Sequence, residues 1–291
     1  MRHGVRRFCA VYYGSRNPKS LWIRKGPTMR TKQLPAPYSL LAIGTLGFVL
    51  LAIPFIGLAQ RTPWSSFVQI AKEETVLRSI SLSMIIATSS AIICIILGIP
   101  LGWILARAKF RGLKIIRAVI LLPMVLPPVA GGTALLFALG RKGFIGAKLN
   151  SWFGITLPFT TAGAIIAATF VALPFFVLTI ESSAIELDSK LEEASLNLGA
   201  TPVRTFFTVT LPMLRSSILA GIALSWARAL GEFGATITFA GDNPEQTRTL
   251  PLQLFVALET NPERAMVIGM LMVVISLSVL VTLRGNWLGR R

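Results

Sequence analysis

Six long apolar segments divide this 291-residue chain and leave it few architectures to fold into. A hydrocarbon core about 30 Å thick is crossed by about 20 mostly apolar residues in helical conformation. Backbone polar groups in lipid must be satisfied within their own segment, so each run predicts a transmembrane α-helix. The sequence predicts an all-α integral membrane protein with six transmembrane helices, at about residues 38–60, 76–106, 113–139, 158–180, 213–240 and 265–283.

Composition agrees with a membrane protein and excludes several other classes. Hydrophobic residues make up 53% of the chain and charged residues 14%, whereas a soluble domain carries roughly 25% charged residues. Cys9 and Cys94 are too few and too far apart for a disulfide framework or a CxxC redox site. The single histidine, His3, offers no cluster for metal binding or acid–base chemistry. We therefore expect no metal, no cofactor and no catalytic residue in this chain.

Basic residues give the chain a formal net charge of +17, and they cluster in short segments between the apolar runs. This pattern predicts contact with anionic lipid and sets the topology. No aromatic–basic interleaving or DNA-reading motif accompanies the charge, so nucleic acid is not an expected partner. The bias places a basic N-terminal tail (1–37), the linker 107–117, a polar segment at about 185–212 and a C-terminal tail (285–291) in the cytoplasm. The transmembrane domain then covers residues 38–284, in a multi-pass plasma (inner) membrane protein.

The N-terminal tail leaves three interpretations open. It is a cytoplasmic basic anchor, a sequence upstream of a true start at Met29, or an organellar transit peptide, which would place the protein in an organellar membrane. No apolar h-region precedes the first span, so a secretory signal peptide is not expected. N-terminal sequencing of the purified protein distinguishes the three.

A polar segment, EEASLNLGATPVRTFFTVTLP at 192–212, separates the fourth and fifth predicted spans. Ser189 and Glu192 have the spacing of a capping box, which predicts a helix with Ser189 as its N-cap. Gly199 suits a left-handed helix end, and Thr201-Pro202 is typical of the cap and first position of a second helix. We therefore expect a helix–turn–helix elbow outside the bilayer.

One narrow apolar stripe follows the first helix of this elbow, formed by Leu187, Leu191, Ala194 and Leu198. Periodicity alone favours a plain amphipathic linker that rests on the headgroups. The more specific interpretation is that the stripe is a docking surface for a partner protein.

The spacing of Glu193-Ala194-Ser195, Gly199 and Val209-Thr210-Leu211-Pro212 resembles the EAA loop of ABC importer permeases. Ser195 replaces the second alanine and Val209 the isoleucine, and both changes keep the size. The resemblance implies that the elbow is a coupling helix that docks into a cleft on a cytoplasmic ABC ATPase. It assigns this coupling role to Glu192, Glu193, Ala194, Gly199, Ala200 and Pro212.

The chain contains no GxxxxGK[ST] sequence, so nothing in it cradles nucleotide phosphates. No loop is long enough to supply a nucleotide-binding domain. We expect the chain to be a transport subunit rather than an enzyme, with ATP hydrolysis carried out by a separate subunit.

The fifth predicted span carries Arg228 and Glu232 at i and i+4, where isolated charges are costly. The pair is either a self-neutralising structural contact or part of a wet translocation path. The small residues Gly231, Gly234 and Ala235 would allow a second helix to approach closely.

The third predicted span is interrupted by prolines and glycines at Pro123, Pro127, Pro128, Gly131 and Gly132. Proline removes a backbone donor and kinks a helix, and irregular backbone at membrane depth survives only where protein or water covers it. This predicts a bend, either beside the path or as an ordinary packing kink.

Three strings, LLPMVLPPVAGG from Leu121, GEFGATITFAG from Gly231 and TRTLPLQLF from Thr247, resemble the permeases of molybdate ABC importers. The likeness runs from the first span onward and omits the N-terminal tail. It implies a homodimer with ABC ATPase subunits, an extracytoplasmic oxyanion-binding protein, and a path for a tetrahedral dianion. Arg228, Glu232, Thr236, Thr238 and Arg248 are the candidate path residues, although Arg248 has an alternative role in bracing the outer loop.

Two alternatives remain from the sequence. Sulfate and tungstate permeases share the EAA loop, so the cargo is not fixed by it. A self-sufficient secondary transporter would contain internal inverted repeats and buried coupling acids, and the two halves of this chain show no repeat.

Overall fold

The computed structural model describes residues 38–288 of the chain, with side chains described as far as Thr282. The described part is helical, as predicted, and contains no strand. The predicted tail at 1–37 and the last three residues of the predicted tail at 285–291 lie outside the described residues.

Four helices are long and apolar enough to cross a membrane, and the number rises to six if each of two bent helix pairs is one span. The continuous helices are α1 (Tyr38–Arg61), α3 (Glu74–Arg107), α7 (Thr161–Glu186) and α14 (Pro262–Leu288). The first bent pair is α4 (Leu113–Val125) with α5 (Pro128–Leu139). The second joins an elbow at residues 202–213 to α11 (Arg215–Leu230).

Shorter helices lie between these spans. They are α2 (Phe67–Ala71), α6 (Gly146–Phe153), α8 (Ser189–Asn197), α9 (Pro202–Thr205), α10 (Leu211–Met213), α12 (Gly234–Ala240) and α13 (Leu250–Thr260), with a π-helical segment at Phe206–Thr210.

The chain divides within α1 into two compact units, Met1–Ala52 and Ile53–Arg291. The described part of the first unit is the beginning of α1, and no residue of α1 is buried. The second unit contains every other described element, including the elbow and the broken spans.

The third predicted span, 113–139, is bent, as its prolines and glycines predicted. It breaks into α4 and α5, which meet at an angle of 120°. Leu126 and Pro127 are extended at the break, and Pro128 begins α5. A residue before proline is driven out of the α region, so the two consecutive prolines end one helix and start the next, whereas Pro123 stays inside α4.

The fifth predicted span, 213–240, needs correction. Its helix ends at Leu230, and a break at residues 231–233 separates it from the short α12. The carboxylate of Glu232 accepts a hydrogen bond of 2.7 Å from the backbone N–H of Ala235, so the acid serves the start of α12. A further helix, α13, follows and was not predicted.

The core forms where α3, α7 and α11 pack together around Phe176, which is fully buried. Glycines permit this packing. A Cβ atom on Gly98 of α3 would clash with the Phe176 ring, and one on Gly102 would lie 2.7 Å from Cβ of Ile180. α3 and α7 therefore approach too closely for side chains at those positions.

A second close contact joins α5 to α12. A Cβ atom on Gly132 would lie 2.8 Å from the Ala235 carbonyl oxygen, and one on Gly234 would lie 2.8 Å from Cβ of Pro128. The small residues on each side let the broken third span approach the end of the broken fifth span, as expected for Gly234 and Ala235.

Candidate functional site

The elbow predicted at 192–212 is present as α8, a turn and a second arm formed by α9, the π-helical segment and α10. The N-cap of α8 differs from the predicted Ser189. Asp188 takes that role, because its carboxylate accepts from the Lys190 N–H at 3.0 Å. Ser189 is the first helical residue, and its hydroxyl donates to the Glu193 carboxylate. The capping-box prediction was therefore one residue out of register.

The turn of the elbow follows the prediction. Gly199 has φ +87°, in the left-handed region. Its N–H donates to the Leu196 carbonyl at 2.9 Å, and the Ala200 N–H donates to the Ser195 carbonyl at 3.1 Å. This pair of bonds is a Schellman motif, which satisfies the last carbonyls of a helix.

The second arm begins as predicted, with Thr201 as its N-cap and Pro202 as its first residue. The hydroxyl of Ser195 lies 2.9 Å from that of Thr205, which joins the two arms. The π-helical segment ends where the Leu211 N–H donates to the Phe206 carbonyl. Pro212 follows in α10, where its missing N–H leaves the local ladder without a donor.

The part of the apolar stripe that lies along α8 and its C-cap, Leu191, Ala194 and Leu198, is exposed, whereas Leu187 packs against the hydrophobic core. Leu191 and Leu198 are exposed, the latter at 88%. A groove of about 550 Å³ runs along the elbow, lined by Leu191, Ala194, Ser195, Leu198, Gly199, Ala200, Arg204, Thr208 and Val209. Three of the predicted coupling residues, Ala194, Gly199 and Ala200, thus line one open groove with apolar walls.

The two predicted glutamates of the elbow have different surroundings. Glu193 is exposed and contacts Ser189 of its own helix. The Glu192 side chain is 17% exposed and points toward α3, where Oε2 lies 3.3 Å from Nε of Arg107. Its other carboxylate oxygen accepts from the Thr210 hydroxyl at 2.6 Å.

The candidate path residues fall into two groups. Arg228 and Glu232 form an ion pair of 2.7 Å between Nη1 and Oε2, in which the glutamate side chain is 2% exposed and the arginine side chain 26%. Thr236 is buried on the adjacent α12, and the Thr238 hydroxyl donates to the Gly234 carbonyl. These four residues are brought together around the break between α11 and α12.

Arg248 lies in the loop between α12 and α13 and makes a bidentate pair with Asp242, at 2.6 and 2.9 Å. This geometry agrees with the alternative role of bracing the loop. Arg248 also lines a cavity of about 210 Å³ with Glu74, Thr75, Arg78, Pro244, Glu245 and Gln253.

Sequence reasoning missed Arg107, Trp103 and the Arg117–Glu181 pair. Arg117 of α4 pairs with Glu181 of α7, whose side chain is 7% exposed. Arg107 and Arg117 are the two ends of the basic linker 107–117, whose charges predicted topology alone. Their partners lie far away in sequence, so no local spacing signalled them.

The described part of the chain is thus a set of straight and bent apolar spans with an elbow between two of them, as a membrane protein requires. Residues 98–291 match the family described as "Binding-protein-dependent transport system inner membrane component". The chain belongs to this family, and it is a multi-pass inner-membrane protein.

Curated relatives agree with this membership. The molybdenum transport system permease protein ModB of Mycobacterium tuberculosis is 40% identical over 235 residues, which cover 81% of this chain and 89% of that protein. ModB of Haemophilus influenzae is 42% identical over 213 residues, covering 73% and 93%. The probable sulfate transport system permease protein cysT of Marchantia polymorpha is 35% identical over 238 residues, covering 80% and 82%. These relatives confirm the resemblance drawn from the sequence motifs.

A solved structure of similar fold is that of a bacterial ABC transporter involved in the import of the acidic polysaccharide alginate. Its chain superposes with a TM-score of 0.70 at 17% sequence identity, covering 86% of this chain and 94% of that one. This chain therefore shares the fold of that ABC transporter chain. Its family membership and its curated relatives make it a transport subunit rather than an enzyme.

Proposed function

We propose that this chain is the transmembrane permease subunit of an ATP-driven oxyanion importer, and that its cargo is molybdate. The observation that carries the proposal is the elbow, because it offers an open groove with apolar walls and a hydrogen-bonded turn at Gly199, in a chain that has no phosphate-binding loop. A cytoplasmic ATPase docked in this groove would supply the energy. The similarity to molybdenum permeases over most of the chain supports molybdate as the cargo.

The complete importer would contain two copies of this chain, two ATPase subunits and an external binding protein. Six spans form half of a pathway, and closed two-fold symmetry would complete it. Closure of the ATPase pair would draw the two elbows together and turn the cavity outward, where the binding protein delivers the anion. This arrangement requires the elbow and both chain ends to be cytoplasmic, as the distribution of Lys and Arg favours.

Uptake of labelled molybdate by vesicles that contain the permease, the ATPase and the binding protein tests this function. We expect accumulation with ATP on the ATPase side and none after ATP depletion, because no other energy source is coupled to the path. Vesicles that lack the ATPase are the control. Uptake that survives ATP depletion would contradict the proposal and favour a secondary transporter.

A sulfate permease is the second candidate, and the 35% identity to the Marchantia protein favours it over other classes. Molybdate, tungstate and sulfate are all tetrahedral dianions, so the permease path alone discriminates weakly among them. Competition among the three anions for the cognate binding protein, followed by uptake of each, distinguishes the candidates. Preference for sulfate in both measurements would replace molybdate as the cargo while keeping the importer mechanism.

We propose that the translocation path includes Arg228, Glu232, Thr236, Thr238 and Arg248. The structure favours different roles for the first two. The buried Glu232 carboxylate contacts Arg228 and the start of α12, which favours a structural role for it. The Arg228 side chain is 26% exposed and is the better candidate for contact with a passing anion.

Uptake by Glu232→Gln and Arg228→Gln, measured at matched expression, separates these roles. We expect Arg228→Gln to slow uptake because it removes a cation from the path. Normal uptake in both variants would contradict a path role for the pair.

A further inference from the structure

The last two turns of α3 contact both arms of the elbow. Arg107 is the final residue of α3, and Trp103 lies one turn before it. Arg107 meets the first arm through Glu192. The Trp103 ring meets Phe206 of the second arm edge-to-face, with centroids 5.6 Å apart. No other long helix in the described part of the chain has an ion pair with the elbow.

The Arg107 guanidinium joins three segments at one point. Its Nη2 donates to the Leu187 carbonyl at 3.1 Å, at the end of α7. Its Nε lies 3.3 Å from Oε2 of Glu192 as an ion pair, without the angle of a hydrogen bond. Through Glu192 it reaches Thr210, whose hydroxyl is bound to the other carboxylate oxygen at 2.6 Å.

Partial burial makes the Arg107–Glu192 ion pair costly to separate. The Arg107 and Glu192 side chains are 22% and 17% exposed, and Thr210 is 1% exposed. Water screens such a charge pair less than an exposed one, and separating it would leave a partly buried charge without its partner. Displacement of the elbow away from α3 is therefore opposed, whereas movement of the elbow and α3 together is not.

From these contacts we propose that Arg107 is a positioning residue that couples the elbow to α3 through Glu192. This inference rests on the proposed function, in which the elbow receives the motion of a docked ATPase. Glu193 then remains available on the exposed face for the ATPase, while the neighbouring Glu192 connects the elbow to the membrane helix. The Ser195–Thr205 contact holds the two arms together, so they move as one unit.

The packing of α3 determines where the motion goes next. Gly98 and Gly102 bring α3 against Phe176 and Ile180 of α7 with no room for a Cβ atom. A displacement of α3 would therefore be passed on to α7, because close-packed interiors have low compressibility. A force on the elbow would therefore enter the bundle at the end of α3 and reach α7.

The experiment measures molybdate transported per ATP hydrolysed in vesicles that contain the full importer. Arg107→Gln and Glu192→Gln are compared with the wild type, and Lys109→Gln serves as the matched control. Lys109 is exposed two residues from Arg107, and its substitution removes the same charge. Retention of the ATPase by the purified variants is measured in parallel.

We expect both test variants to retain the ATPase and to hydrolyse ATP while anion transported per ATP falls by roughly 5- to 150-fold, the range of an allosteric coupling energy. The control should keep the wild-type ratio. The charge-swapped double variant Arg107→Glu/Glu192→Arg restores opposite charges at the two positions and should recover part of the ratio. Retained ATPase binding and hydrolysis in the single variants separate a loss of coupling from a loss of folding. Where either single variant folds poorly, the double variant is the test: recovery of the ratio supports the inference, and a folded double variant without recovery contradicts it.

An unchanged ratio in both single variants overturns the inference. So does loss of ATPase binding in Glu192→Gln, because that result would place Glu192 in the docking surface. The wild-type vesicles test the proposed function separately. If they accumulate sulfate in place of molybdate, the same ratio is measured with sulfate, so failure of the cargo assignment is distinct from failure of the coupling contact.

Discussion

At the scale of single residues, backbone conformation explains the turn of the elbow, and ion pairing explains the buried acid between α11 and α12. Gly199 allows the elbow to turn because its backbone is left-handed, at φ +87°. Glu232 is tolerated in a buried position because Arg228 and the Ala235 N–H both satisfy its carboxylate. Each of these roles is local, and each predicts a defined effect of substitution.

Replacing Gly199 with alanine should loosen the elbow. A Cβ atom there meets no neighbour within 4 Å, so the cost is the left-handed backbone alone, about 1–2 kcal/mol. We expect faster hydrogen exchange across 189–213, with Gly199→Asn showing a smaller change because asparagine tolerates this conformation.

Gly231→Ala is the control for this prediction, since Gly231 has φ −84° and room for a Cβ atom. Equal exchange in Gly199→Ala and the wild type would show that the left-handed turn does not limit the stability of the elbow.

Replacing Glu232 with alanine should destabilise the protein more than replacing it with glutamine. Alanine leaves the Ala235 N–H and the Arg228 guanidinium without their acceptor, at a cost of roughly 1–3 kcal/mol, whereas glutamine retains an acceptor oxygen. Unfolding by SDS in mixed micelles measures the difference. The Arg228→Ala/Glu232→Ala double variant should lose less stability than the sum of the single variants, and strict additivity would contradict the pairing.

At the scale of elements, the breaks and close contacts between helices shape the bundle. Two consecutive prolines end α4 and start α5 at an angle of 120°. α3 lies against α7 with glycines at the contact, and α5 lies against α12 in the same way. The second half of the bent third span, α5, is thus held by its close contact with α12.

Gly102→Ala tests the contact between α3 and α7. Its Cβ would lie 2.7 Å from Cβ of Ile180 and 3.0 Å from the Val177 carbonyl oxygen, so the two helices must separate. We expect a loss of about 1–3 kcal/mol, the usual cost of overpacking, measured by the same SDS unfolding.

Gly57→Ala is the matched control for Gly102→Ala, because a Cβ at Gly57 in α1 meets nothing within 4 Å. Alanine has the higher helix propensity, so this variant should be neutral or slightly more stable. Equal stability of the two variants would mean that the α3–α7 contact accommodates a methyl group.

At the scale of the whole molecule, the groove along the elbow and the tip of the α4–α5 bend are both exposed in the single chain. The groove along the elbow is not covered by other described parts of the chain. The tip of the α4–α5 bend carries Val125, which is 82% exposed. An importer built from two copies, two ATPases and a binding protein would use such surfaces, and the copy number is directly measurable.

Two differently tagged copies of this chain, expressed together with the ATPase, should purify as one complex. Capture on the first tag should recover the second, because half of a pathway in each chain requires two-fold closure. Membranes mixed after separate expression provide the control. Tags that separate while ATP-dependent uptake persists would contradict the homodimer.

The sequence by itself determined the membrane class, the apolar spans, the Gly199 turn and the Thr201-Pro202 start of the second arm. Each of these depends on the free energy of a short segment in lipid or in a turn, and local residues set it. It also located the bend near Pro127 and Pro128, though not its angle. The capping box failed by one residue because Asp188 competes for the same N–H groups and lies just outside the motif.

Tertiary structure alone decided which groups meet. Glu192 and Glu193 are adjacent in sequence, yet one side chain points toward Arg107 and the other toward solvent. Arg107 also bonds to a carbonyl 80 residues away. Hydrophobic periodicity defines one face of a helix but carries no information about the partner opposite it, because packing among distant segments sets that choice.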